Sequence, residues 1–151
     1  MSADYELKTI PTIRLVAIEA TLAFDEISQH IRPMFDEVAA ALDHAEGALE
    51  VPIATYSATA SGMEVIVGFA HPGPAPAGTR LVDLPEITAV CGVLHGPLSG
   101  LQPAWEAMHN WIVTKNYTFA GPCREVYVRA QSEDQSDWIT ELQQPVVQNQ
   151  G

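Results

Sequence analysis

Positive charge is what this sequence has least of. Seven Lys and Arg stand against 19 Asp and Glu, a formal net charge of −12, and no basic run occurs along the chain. Nucleic acid is therefore not expected as a partner, because phosphate contacts need clustered positive charge. The acidic field favours cationic or neutral ligands, and it also serves plain solubility. Cysteine is nearly absent as well. Cys91 and Cys123 are too few and too far apart for a disulfide framework or a C-x-x-C site, and each lies in a strand-like run where a buried, reduced thiol is expected. No apolar stretch approaches the roughly 18 residues of a membrane span, and "MSADYELKTIP" has neither a basic n-region nor an apolar h-region. The chain reads as cytoplasmic, with no membrane partner. His30, His44 and His109 lie in helical or loop stretches without H-x-x-x-H spacing, and His71 and His95 adjoin strand ends, so no metal site is expected. Glycine fingerprints for nucleotides and the GxSxG elbow are missing too, and no cofactor is expected.

What is present is a repeated pattern. The 151 residues fit one domain that buries roughly two thirds of the surface its unfolded chain exposes. "IPTIRLVAIEATL" (10–22) and "LPEITAVCGVLHG" (84–96) are Pro-led, β-branched runs that read as strands. Each precedes a helical pattern: Ile31, Phe35, Val38 and Leu42 in the first, Leu101, Trp105, Met108 and Ile112 in the second. Pro33 and Pro103 suit the first helical position, where a missing N–H costs nothing, so both helices are predicted to begin there. Strands "VPIATYS" (51–57) and "GPCREVYV" (121–128) follow, then "MEVIVGFAHP" (63–72) and "WITELQQP" (138–145). Pro85 lies 74 residues after Pro11, Pro103 70 after Pro33, Pro122 70 after Pro52 and Pro145 73 after Pro72. Such near-constant offsets indicate a duplicated β-α-β-β module. The fold class is α+β with antiparallel sheets: module one about 5–72, a Pro/Gly-rich linker about 72–80, and module two about 81–147.

One residue disturbs this pattern. Glu125 stands inside the apolar run beside Val126, Tyr127 and Val128, and a carboxylate taken out of water costs several kcal/mol unless it is paired or protonated. Two readings are open: a structural pair with Arg124, Arg129 or a backbone donor, or a binding site. Tyr127, two residues on, projects from the same strand face. Trp105 belongs to the sheet-packing stripe of the second helix and Trp111 lies beside that stripe, so one suits the core and the other a pocket rim. Tyr56 and Phe69 occupy comparable strands of the first half, and Trp138 opens the last strand. For any one of these aromatics core packing is the commoner role, yet together they can supply a flat apolar wall. Glu141, flanked by Thr140 and Gln143, ranks below Glu125.

"GPCREVYV" followed by "SDWITELQQPV" resembles the C-terminal signature of the GyrI-like small-molecule-binding family, the effector-binding domain also found in AraC-type and MerR-type regulators. The resemblance spans essentially the whole chain. It implies paired β-α-β-β modules with a groove between them for bulky, lipophilic or cationic molecules. It also implies that Glu125 lies at the floor of an aromatic pocket, with Tyr127, Trp105, Trp111, Tyr56, Phe69 and Trp138 as candidate ligand-binding residues. The implied partner is a small molecule. Gyrase-inhibiting members of the family suggest a protein partner as well, but no surface motif here supports one. Other members are similar in length and open cyclopropane-bearing natural products with water. In that reading Glu125 and Tyr127 become catalytic, Glu125 activating water and Tyr127 orienting the substrate.

Overall fold

The computed structural model describes residues 5–42, 52–60, 62–70, 74–129 and 135–148. His44, His71, Pro72 and the start of the predicted linker lie outside the described residues. The chain divides into two compact units, Pro11–Glu86 and a second made of Met1–Ile10 with Ile87–Gly151. Both are helix-on-sheet α+β units, and every strand pairing described below is antiparallel.

The Pro11–Glu86 unit holds β2 (Ile13–Leu22), α1 (Ile27–Leu42), β3 (Pro52–Ala58), β4 (Met63–Ala70) and β5 (Arg80–Leu84), in the sheet order β3-β4-β2-β5. β4 is the central strand, and its "VIVGF" core places Val65, Val67 and Phe69 on the face that meets α1, where Phe35 meets Phe69 edge-on at 5.8 Å. α1 starts earlier than its proline suggests: Pro33 lies inside the helix. The apolar stripe explains this, since Ile27 and Ile31 precede the proline on the same side as the buried Met34, Val38 and Leu42. Extending the stripe offsets the roughly 3 kcal/mol that an interior proline costs, and Pro33 itself points its ring to solvent. Gly68 is required by close approach: a Cβ there would lie 2.4 Å from the Val16 carbonyl oxygen and 2.7 Å from the Ala17 Cβ. Backbone cannot retreat as a side-chain tip can. Gly68→Ala is therefore expected to destabilise the fold by about 1–3 kcal/mol, read as a lower urea midpoint with an unchanged slope.

The second unit holds β1 (Glu6–Ile10), β6 (Ile87–His95), α2 (Leu101–Thr114), β7 (Tyr117–Phe119), β8 (Cys123–Arg129) and β9 (Ile139–Gln148). Its order is β1-β6-β9-β8, with β7 also on β9. The short strands β1, β5 and β7 are absent from the sequence reading. β1 runs into β2 in sequence yet pairs with β6, and β5 runs into β6 yet pairs with β2, so each short strand joins the unit other than that of the long strand it precedes. Pro103 is the third residue of α2, still within the first turn, where N–H groups have no helical acceptor and the substitution is free of cost. The stripe itself is as predicted: Met108 and Ile112 are fully buried against Val90, Leu142 and Val146, with Leu101 and Trp105 packed beside them. Pro145 sits where β9 exchanges one neighbour for another, paired with β8 as far as Gln143 and with β7 from Val146. Its carbonyl accepts the Ala120 N–H at 2.8 Å, and Gly121 makes the turn between those neighbours at φ 111°, a conformation that favours glycine. Among the described residues no helix is long and apolar enough to cross a membrane.

Candidate functional site

Strand alternation decides where the Glu125 side chain goes. In β8 Glu125 is registered opposite Leu142 and Tyr127 opposite Thr140, which places both on the face of the sheet that packs against α2. Arg124, opposite Gln143, is directed to the other face. Glu125 is only 5 % exposed and Tyr127 only 6 %. The carboxylate is held at both oxygens: the Trp105 indole N–H donates to Oε2 at 2.8 Å, and the Tyr127 hydroxyl donates to Oε1 at 2.5 Å. Both donors are neutral aromatics, and together they fix the position of the carboxylate. Sequence spacing sets the directions, with Tyr127 two residues along the strand and Trp105 on the sheet-facing stripe of the helix, and the packing of α2 over β8 brings them together.

Two further residues join this wall that the sequence reading did not include. His109 lies one helical turn beyond Trp105, its ring 5.5 Å from the Trp105 ring and 5.0 Å from that of Phe119 on β7. Burial lowers the His109 pKa, while a hydrogen bond with the Gln144 side chain acts in the opposite direction. His109 Nε2 and the Thr140 hydroxyl are both buried without a hydrogen-bond partner among the described residues. Thr140 stands directly opposite Tyr127. The i, i+4 spacing of Trp105 and His109 was a usable signal, but a lone histidine on a helix more often faces solvent. Phe119 could not be read because β7 is three residues long.

The thiols take no part in ionic chemistry here. Burial pushes Cys91 up to about 11 and Cys123 up to about 12, the latter with a smaller contribution from the Glu125 charge. Because folding opposes the thiolate, the stability these groups contribute is complete below pH 9 and is lost as pH rises toward 11 and 12. At pH 8 both are expected to react with iodoacetamide many-fold more slowly in the folded chain than in urea, as followed by mass spectrometry. Comparable rates in the two states would contradict that burial.

Comparison with protein families finds a match over residues 3–147 to the GyrI-like small-molecule-binding domain. The chain belongs to that family. Comparison with curated protein sequences finds no match. Among solved structures the GyrI-like fold recurs in the C-terminal domain of EcmrR (22 % identity, TM-score 0.76, covering 99 % of this chain and 100 % of that one). It recurs in SAV2435 bound to tetraphenylphosphonium (18 % identity, TM-score 0.70, covering 95 % and 94 %). A protein described as a hydrolase from Listeria innocua also shares it (10 % identity, TM-score 0.65, covering 96 % and 92 %).

The remaining candidates of the GyrI-like reading fall in different places. Trp111 belongs to a separate aromatic cluster, 5.2 Å from Tyr5 and stacked on Tyr117 at 6.4 Å, with Lys115 Nζ 5.7 Å from its ring centroid. Trp138 is buried and its carbonyl accepts the Gly96 N–H at 2.8 Å, anchoring the entry to β9. Phe69 is a core residue against Phe35, and Tyr56 is half-buried on β3, in register with Val65. Glu141 accepts from Gln143 Nε2 at 2.5 Å and lies 3.4 Å from Lys8 Nζ, on the face opposite Glu125. Among the described residues no group of three or more His, Cys, Asp and Glu is placed to hold a metal ion.

Proposed function

We propose that the chain is a cytoplasmic binder of a bulky lipophilic small molecule, cationic or planar aromatic, and that Glu125 with Trp105 and Tyr127 forms the floor of its site. The buried, aromatic-held carboxylate carries this reading. A fixed negative charge among neutral rings attracts a desolvated cation more strongly than water does, and the ring faces add apolar contact and cation–π attraction. The tetraphenylphosphonium complex of SAV2435 supports the same ligand chemistry, since that ligand is a lipophilic cation with no hydrogen-bond donor. Two buried polar atoms without partners among the described residues, on His109 and Thr140, give a ligand further points of attachment on the same face. Sequestration or sensing of such a molecule is the role this chemistry serves. The test is a titration of lipophilic cations and planar aromatics against tryptophan fluorescence. Trp105 is bonded directly to the carboxylate, so occupancy is expected to change its emission. A panel that leaves the emission unmoved up to millimolar concentrations overturns the proposal.

A second reading, hydrolysis of a cyclopropane-bearing electrophile, is favoured by the likeness to the Listeria innocua hydrolase. In it Glu125 takes a proton from water as the water oxygen bonds to a ring carbon, the adjacent C–C bond of the cyclopropane breaks with its electron pair passing into the electron-withdrawing group that activates the ring, that group takes up the proton, and Tyr127 orients the substrate. General-base assistance of about 10²–10⁴-fold suffices for an already reactive ring. Incubation with a cyclopropanoid alkylating agent and mass spectrometry of the ring-opened product tests it. Turnover equal to buffer, or equal in Glu125→Gln, removes the enzyme reading.

A further inference from the structure

We infer that the outer edge of β1 is a self-association surface, the partner being a second copy of this chain paired antiparallel about Leu7. β1 is the terminal strand of its sheet: β6 occupies one side, and among the described residues no strand pairs with the other. An open edge presents unpaired N–H and C=O groups from alternate residues, and chains usually blunt it with proline, a bulge or a cover. β1 has no proline and keeps an unbroken five-residue register with β6. Glu6, Leu7, Lys8 and Thr9 are all exposed, Leu7 at 48 %.

The charges choose the occupant and the register. In a two-fold antiparallel pairing centred on Leu7, each Glu6 stands opposite Lys8 of the other copy, and the two Leu7 side chains abut. Shifting the centre to Glu6 or to Lys8 places like charges directly opposite one another, which is destabilising. An edge lysine ordinarily discourages pairing. Lys8 does not act so here, because Glu6 at 3.8 Å and Glu141 at 3.4 Å already surround it with negative charge, and the copy's Glu6 adds to that set. β5, the terminal strand of the other unit's sheet, offers no such pattern. Its charged residues, Arg80 and Asp83, are three apart and lie on opposite faces of the strand, so no two-fold register sets one opposite the other. The net charge of −12 opposes approach of two copies at long range, so association is expected to be weak and to need physiological salt.

Sedimentation velocity in 0.15 M salt, from about 10 to about 500 µM, covers the range in which so small an interface associates. A monomer–dimer equilibrium is expected. Lys8→Glu and Glu6→Lys, each confirmed as folded by circular dichroism, are expected to weaken it at least about fivefold because each creates two like-charge pairs. An equal mixture of the two variants regains opposite charges at both positions and is expected to associate like the wild type. A monomer at the highest concentration, or variants that associate like the wild type, or a mixture no better than its components, overturns the inference. Hydrogen exchange of the wild-type chain gives a check free of substitutions: amides of Glu6–Ile10 slow at the higher concentration, and unchanged exchange there also overturns it.

Discussion

Glu125→Gln is expected to weaken binding of a lipophilic cation such as tetraphenylphosphonium by about 10- to 100-fold and to leave a neutral aromatic of similar size within about twofold. Trp105 can only donate, so the amide oxygen of the introduced residue must take the place of Oε2. The amide nitrogen then faces the Tyr127 hydroxyl, which can turn from donor to acceptor. Both of these hydrogen bonds can be kept and the volume is nearly unchanged, so stability is expected to stay within about 1 kcal/mol. What is lost is the charge. At about 5 Å and an effective dielectric near 20, a unit pair is worth about 3 kcal/mol, and the observed loss is smaller because the ligand's own desolvation is also relieved. Calorimetric titration of both ligands against both proteins measures the difference. Equal losses for cation and neutral ligand would mean that the substitution disturbs shape and not charge, and no loss for either would remove Glu125 from the site.

Much of this arrangement was legible in the sequence because it follows from period. Long strands with β-branched alternation, β2, β4, β6 and β9, and helices with a four-position apolar stripe, α1 and α2, carry their signal over enough residues to be read. The same alternation sends Glu125 and Tyr127 to one face, and the helical stripe brings Trp105 to meet them. Short elements escape. β1, β5 and β7 are three to five residues long and mostly polar or mixed, so neither alternation nor composition separates them from loop. They exist because a neighbouring long strand offers them a ladder, a tertiary cause that no local window contains. Pro33 misleads for the same reason. Its local preference for a helix start yields to burial of the residues on either side of it. The separate places of Trp105 and Trp111 follow from six residues of helical turn, yet which of them meets a carboxylate depends on β8 lying under one and not the other.

Met108→Ala tests whether the helix that carries Trp105 is positioned by packing. Met108 is fully buried in the cluster with Val90, Ile112, Leu142 and Val146, one turn from Trp105 on the same stripe. Truncation removes apolar contacts from a site with no solvent to fill the gap, and a loss of about 2–5 kcal/mol is expected. In a chain of this size that lowers Tm by on the order of 10 °C. Binding is expected to respond differently from stability. Because Trp105 is also tied to Glu125 by its indole N–H, the local geometry has a second constraint, and cation affinity at 20 °C is expected to fall less than about fivefold while the fold remains intact. Adding Trp105→Phe to Met108→Ala removes that constraint, and the affinity loss of the pair is then expected to exceed the product of the single losses. Differential scanning calorimetry with and without ligand separates the two effects. Strict additivity in affinity would show that the indole–carboxylate bond and the Met108 contact act independently, and that the site does not depend on the seating of α2.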